Sequence, residues 1–196
     1  MIHIDEKIEK FSADKSELGF EYQFYFFLWK LLEMKTGETV SWEVKEDVSF
    51  DLSDGTTYLF QIKHTTQKKS GGLPVNMTNL DFDLWKTMSN WSQIINSKES
   101  TNNQKEFLQK TFFILATNKS ESKNSILNQF ENFRNNDIDF LCLKSEIEKL
   151  LIKTENEFVK EFISNCLELP DEILMLFFQH IQFQLQETDL VQRCKD

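Results

Sequence analysis

The sequence predicts an α/β protein, with a mixed β-sheet flanked by helices and a mainly helical C-terminal part. Three observations predict it. An apolar segment of helical period lies near the start, alternating segments joined by an Asp-Gly turn follow, and an unbroken apolar run, TFFILAT, occupies residues 111–117. With the helical patterns around that run, the order is a helix, three strands, a helix, a strand and then helices.

The first segment, ADKSELGFEYQFYFFLWKLLEMKTG, reads as one helix. Asp14 or Ser16 is expected to cap its start, and Gly37 suits the position past its end. Phe20, Phe24, Phe27, Leu28 and Leu31 recur at helical spacing and form one stripe. Gln23 is the misfit, a polar side chain on the edge of that stripe.

ETVSWEV, EDVSFDL and TYLFQIKH then read as strands, with SDGT at 53–56 as the turn joining the last two. Val48, Phe50, Leu52, Tyr58, Phe60 and Ile62 share one parity and face a core. Asp47, Ser49, Asp51, Gln61 and Lys63 share the other, because successive side chains alternate across a strand. The turn places Asp47 roughly opposite Gln61 to Lys63.

QKKSGGLPVN at 67–76 reads as a loop, and LDFDLWKTMSNWSQIIN as a helix with Leu84, Met88, Trp91 and Ile95 on one face. SKESTNNQK at 97–105 is read as a polar connector. TFFILAT suits a strand covered on both sides, and TNKSESKNS at 117–125 as a further loop. Beyond it, ILNQFENF and EIEKLLIKTENEFVKEFISN are amphipathic helices, with DFLCL between them as a short final strand. Pro170 opens a last helix, LPDEILMLFFQHIQFQL.

Composition bounds the function. The 196 residues include 19 Phe and 4 Trp but only 5 Gly and 2 Pro, which favours an ordered core over disorder. The formal net charge of −10 works against a simple nucleic-acid binder, whose grip depends on Lys and Arg. Cys142, Cys166 and Cys194 are far apart and form no CxxC pair, which argues against zinc and for reduced thiols in a cytosol. MIHIDEKIEK is charged throughout, unlike a signal peptide. The longest apolar run, FYFFLWKLL, is about half of the ~20 residues a bilayer needs. The chain is expected to be cytoplasmic and away from membranes. No P-loop, GxGxxG or GxSxG element is present.

The polar face of the hairpin carries the chemistry. Hydrolysing a phosphodiester requires an anion to be attacked and another to leave, and a divalent ion eases both. Asp47 and the carbonyl of Gln61 supply hard oxygen ligands of the kind Mg²⁺ (or Mn²⁺) prefers. Lys63 supplies a cation for the scissile phosphate and the nucleophile. Lys68 and Lys69, just beyond the strand, stand where a phosphate contact is useful. Glu46 and Asp51 read as solvated neighbours, His64 as packing or capping, Trp85 and Trp91 as core, and Thr117 and Asn118 as turn residues. From the hairpin alone, a solvated face explains the same residues.

A GFEYQ helix, EVKED at 43–47, QIKH at 61–64, LDFDLWKTMSNW and TFFILATN follow one another in order over roughly residues 17–120. This set resembles the Cap4-type nuclease family (the DUF4297 group), part of the PD-(D/E)xK superfamily of restriction-like endonucleases. The resemblance implies a restriction-endonuclease-like sheet, with a nuclease core over 1–125 and a mainly helical completion or cap of the same domain over 126–196. It implies Asp47 as the metal-binding aspartate, Gln61 as the second ligand in the manner of a QxK branch, and Lys63 as the catalytic lysine. Gln23 becomes the amide that looks toward the site, and Glu43 a further metal-side carboxylate if a kink aligns it. The implied activity is metal-dependent cleavage of DNA, chiefly duplex and with little sequence preference, in bacterial anti-phage defence. Control by another domain, a partner protein or homo-oligomerisation goes with it. The alternatives are a non-catalytic assembly module with a nuclease-like fold, and a nuclease for RNA or branched DNA.

Overall fold

The computed structural model describes residues 2–120, 124–186 and 194, with side chains from Leu18 onward. Among these residues a sheet of five strands runs in chain order, β1 (Thr39–Trp42), β2 (Val48–Asp51), β3 (Thr57–Lys63), β4 (Thr111–Thr117) and β5 (Ile181–Gln184). β1, β2 and β3 pair antiparallel, whereas β4 and β5 join in parallel. The hairpin turn forms at the Asp-Gly signal. Leu52 N donates to Thr56 O at 2.8 Å, Asp54 Oδ1 accepts from Thr56 N at 2.8 Å, and Gly55 takes φ of 85°, which a side chain would strain. Register follows, with Val48 opposite Phe60 and Phe50 opposite Tyr58.

A parallel step needs a crossover, and helices provide it. α1 (Ile2–Glu33) covers one sheet face, where Tyr22 and Phe26 pack on Val48, Phe60, Ile62, Ile114 and Ala116. α2 (Phe82–Asn96) and α3 (Thr101–Lys110) cross from β3 to β4 over the other face. There Leu59, Phe113 and Leu115 meet Leu84, Met88, Trp91 and Ile95. α4 (Ser125–Arg134), α5 (Phe140–Lys153), α6 (Glu157–Leu167) and α7 (Asp171–Gln179) extend this second core and return the chain to β5. β4 is covered on both faces, as its unbroken apolar run predicts. Phe113 lies at the centre, its ring 5.2 Å from those of both Trp91 and Phe177. No helix among the described residues is long and apolar enough to cross a membrane.

Several expectations are corrected. α1 begins at Ile2, so Asp14 and Ser16 lie within it and not at its start. Its Phe20–Leu31 stripe is not the face laid on the sheet: Tyr22 and Phe26 are buried, while Phe20, Phe24 and Leu31 are exposed. The helix is apolar on both sides, so sequence period alone does not choose. Phe24 and Phe27 instead wrap the sheet edge against Trp42, at 5.6 and 6.0 Å between ring centroids. The supposed connector at 97–105 largely forms α3, nucleated by Ser100, whose hydroxyl accepts from Asn103 N. DFLCL is not a strand but the start of α5, with Asp139 as its N-cap. The last helix stops at Gln179, and IQFQ becomes edge strand β5. Residues 121–123 of the loop read at 117–125 lie outside the described residues.

Candidate active site

The site is built where β2 starts late. Between β1 and β2 the chain bends through residues 43–47: Glu43 takes φ of 54° and its N–H donates to Asp47 O at 3.0 Å. Leu52 and Thr56 form a hydrogen-bonded pair, and in an antiparallel ladder such pairs alternate, so an unbroken β2 would bring a backbone carbonyl of residue 46 to Ile62 N. The bend removes that carbonyl. Asp47 replaces it with a side chain, its Oδ2 accepting from Ile62 N at 2.7 Å and also from Gln61 Nε2. Asp47 thus stands opposite Gln61, as the hairpin register predicts.

Gln61 is buried at 6% exposure, and Lys63 lies two residues along the same strand on the same face, partly open to solvent. The Lys63 ammonium makes no direct ion pair or hydrogen bond with a described residue, but it interacts through space with Glu46. Glu46 is the residue the sequence reading misplaced. It is not a solvated neighbour. Its Oε1 accepts from the indole Nε1 of Trp91 at 2.6 Å, and Trp91 is fully buried on α2. Burial pushes the Glu46 carboxyl up to about 7; the Trp91 hydrogen bond opposes this, the Asp47 charge adds to it, and the Lys63 charge opposes it. The bend is the physical reason: once alternation breaks at 43–47, parity no longer says where side chain 46 goes. The signal in the sequence was Trp91, since a buried indole N–H needs an acceptor.

The other predicted residues divide. Gln23 is half-buried on α1, and its Oε1 is buried without a hydrogen-bond partner among the described residues; no hydrogen bond joins it to Asp47, Gln61 or Lys63. Glu43 sits in the bend with an exposed side chain. Lys69 is tied to Asn76 and to Ser120, leaving Lys68 as the exposed lysine of that pair. The loop carrying them folds back on itself through Lys69 N to Leu73 O and Val75 N to Gln67 O, at 2.9 and 3.1 Å. His64 packs its ring 4.6 Å from that of Tyr22, and desolvation lowers its basicity. Asp51 bonds Lys45 and Thr57.

Beyond the strand ends, polar contacts hold the loop that leaves Lys63. Asn118 brackets Thr65, accepting its N–H and donating to its carbonyl, each at 2.9 Å. Lys119, buried at 7% exposure, bonds Asp81 and Asp83 at the start of α2 at 2.9 and 2.8 Å. Burial alone lowers an ammonium's pKa, but bonds to Asp83 and Asp81 more than offset it and hold Lys119 above its ordinary value. This triad ties the segment just after β4 to the start of α2.

The resemblance implies a divalent metal, and the donor set tests the fit. Among the described residues no group of three or more His, Cys, Asp or Glu side chains is arranged to hold an ion. Asp47 Oδ1 carries no hydrogen bond to a described residue, and the carboxamide oxygen of Gln61 and the Glu46 carboxylate are further hard donors nearby. Mg²⁺ takes few protein oxygens and keeps several waters, so this set fits it. Gln61 presents Nε2 to Asp47, so its oxygen would face an ion there only with the amide turned over. No protein-family model matches the chain, and no curated protein matches it either.

Proposed function

We infer that the chain is a metal-dependent endonuclease domain of the restriction-like class, acting on duplex DNA with little sequence preference. The observation that carries the reading is the junction of Asp47 with Gln61 across the hairpin, with Lys63 on the same face of β3. The element order, a helix, an antiparallel three-strand unit, helices and a parallel strand, is compatible with that class.

In this reading Asp47 and Gln61 hold a divalent ion, which when bound lowers the pKa of the attacking water and neutralises charge on the phosphate. Asp47 is oriented for this by the Ile62 N–H, which a loop carboxylate would lack. Lys63, without a direct ion-pair partner among the described residues, places its ammonium beside the scissile phosphate and stabilises the charge that builds there. Lys68 offers a second phosphate contact from the folded loop. The net charge of −10 opposes strong DNA binding by a lone chain, so a regulatory domain, a partner protein or self-association supplies the remaining grip. A role in bacterial anti-phage defence follows from the same resemblance.

The test is plasmid nicking with Mg²⁺ or Mn²⁺, comparing wild type with Lys63→Ala. Cutting by wild type and none by the variant supports the reading; equal cutting by both removes Lys63 from the site. The acidic surface also favours a second reading, a non-catalytic assembly module that keeps the fold. Inactivity of the wild-type chain on duplex DNA, single-stranded DNA and RNA, even with its regulatory context restored, supports that one instead.

A further inference from the structure

The bend at residues 43–47 turns two consecutive acids toward the end of β3, and the site as described uses one of them. We propose that Glu46 is the second carboxylate of the metal site and that Trp91 is the positioning residue that holds it there. The inference rests on the metal-dependent reading above and deepens it. With Gln61 neutral, a divalent ion meets only one charged ligand in Asp47; Glu46 supplies the missing charge.

Contacts around Glu46 carry the assignment. Trp91 is fully buried and packed against Phe113 at 5.2 Å, so its indole N–H points in a fixed direction. That N–H donates to Oε1 of Glu46 at 2.6 Å and fixes the carboxylate from the α2 side. Glu46 sits close enough to feel the charges of both Asp47 and Lys63. Yet it forms no ion pair with a described Lys or Arg. Its neighbour Lys45 turns away to Asp51 at 2.7 Å. The contrast within this chain is Asp81, also partly buried but neutralised by Lys119 at 2.9 Å. An acid held by a rigid donor beside another acid, with no cation in contact, is arranged to receive a cation from solution. Glu43 lacks these features: its side chain is exposed, and no hydrogen bond with a described residue fixes it.

The experiment measures Mn²⁺ binding by calorimetry at neutral pH for wild type, Glu46→Gln, Trp91→Phe, Glu43→Gln and Asp47→Asn, each checked for a native near-UV spectrum. Gln at 46 still accepts the Trp91 N–H, so its loss is of charge, not of packing. Glu46→Gln is expected to weaken Mn²⁺ by about tenfold or more, and Trp91→Phe by about tenfold, the size seen when an orienting partner is lost. Glu43→Gln should bind like wild type. In a second measurement, Mg²⁺ added to isotope-labelled protein should shift the Trp91 indole resonance more than that of Trp85, whose Nε1 donates to Asn79 O at 2.8 Å. Wild-type affinity in Glu46→Gln, with binding lost in Asp47→Asn, overturns the role of Glu46 and leaves the metal reading standing. Absence of Mn²⁺ binding by wild type at millimolar metal removes the metal reading, and the role of Glu46 with it.

Discussion

Replacing Glu46 with Gln in metal-free protein is expected to make stability less sensitive to pH. Burial raises the folded-state carboxyl from its ordinary value of 4.5 to about 7, so between those values the folded chain holds a proton that the unfolded chain has released. Stability therefore falls as pH rises through this window, and the loss is complete above about 7. At ~1.36 kcal/mol per pH unit the ceiling is about 3 kcal/mol, and screening by the solvent that still reaches the group brings the expected effect to about 2 kcal/mol. Gln does not titrate. In urea unfolding with EDTA present, the variant should gain about 2 kcal/mol on wild type between pH ~5 and pH ~8. His64 and the other titrating groups not coupled to Glu46 are common to both proteins and cancel in the difference. A difference that stays flat across this range, or that moves in favour of wild type as pH rises, would refute the claim that Glu46 is desolvated against Trp91.

Phe113→Ala, at the meeting point of the Trp91 and Phe177 rings, should cost about 3–5 kcal/mol by denaturant unfolding, with a cavity between β4 and the helices. Lys119→Met removes the cation from a sheltered pair of acids and should destabilise by about 3 kcal/mol, with loss of the wild-type Trp fluorescence as α2 loosens; an effect below about 1 kcal/mol would show that the triad is solvated. Lys63→Ala should leave stability within about 0.5 kcal/mol of wild type, because the ammonium has no direct protein partner among the described residues, while nicking disappears. Asn118→Ala breaks both bonds to Thr65 and should cost about 1–3 kcal/mol, with faster hydrogen exchange at the Thr65 amide.

The hairpin was legible because Asp54-Gly55 fixes where the chain reverses, and register then places Asp47 against Gln61 without further information. β4 was legible for a similar reason: a strand buried on both faces has no polar positions to disguise it. Glu46 was not, because its direction depends on a left-handed Glu43, and a non-glycine residue at positive φ leaves no mark in a sequence pattern. The face of α1 was hidden by excess, since Tyr22 and Phe26 compete with Phe20 and Phe24 on equal hydrophobic terms. IQFQ alternates over too few residues to stand out from the helix before it, and only pairing with Phe113 to Ala116 makes it a strand. The α3 segment is almost wholly polar; buried Gln104 and Leu108, with Phe107 packed on Phe113, anchor it.

Because one oxygen of Asp47 closes the hydrogen-bond ladder of the sheet, the residue serves architecture as well as the chemistry proposed for it. Genetic inactivation at position 47 therefore mixes two defects, a frayed hairpin end and loss of the proposed ligand, and a dead Asp47→Ala protein says little about either. An allele altered at Lys63 separates them, and is the better choice for trapping an uncut complex with the scaffold intact.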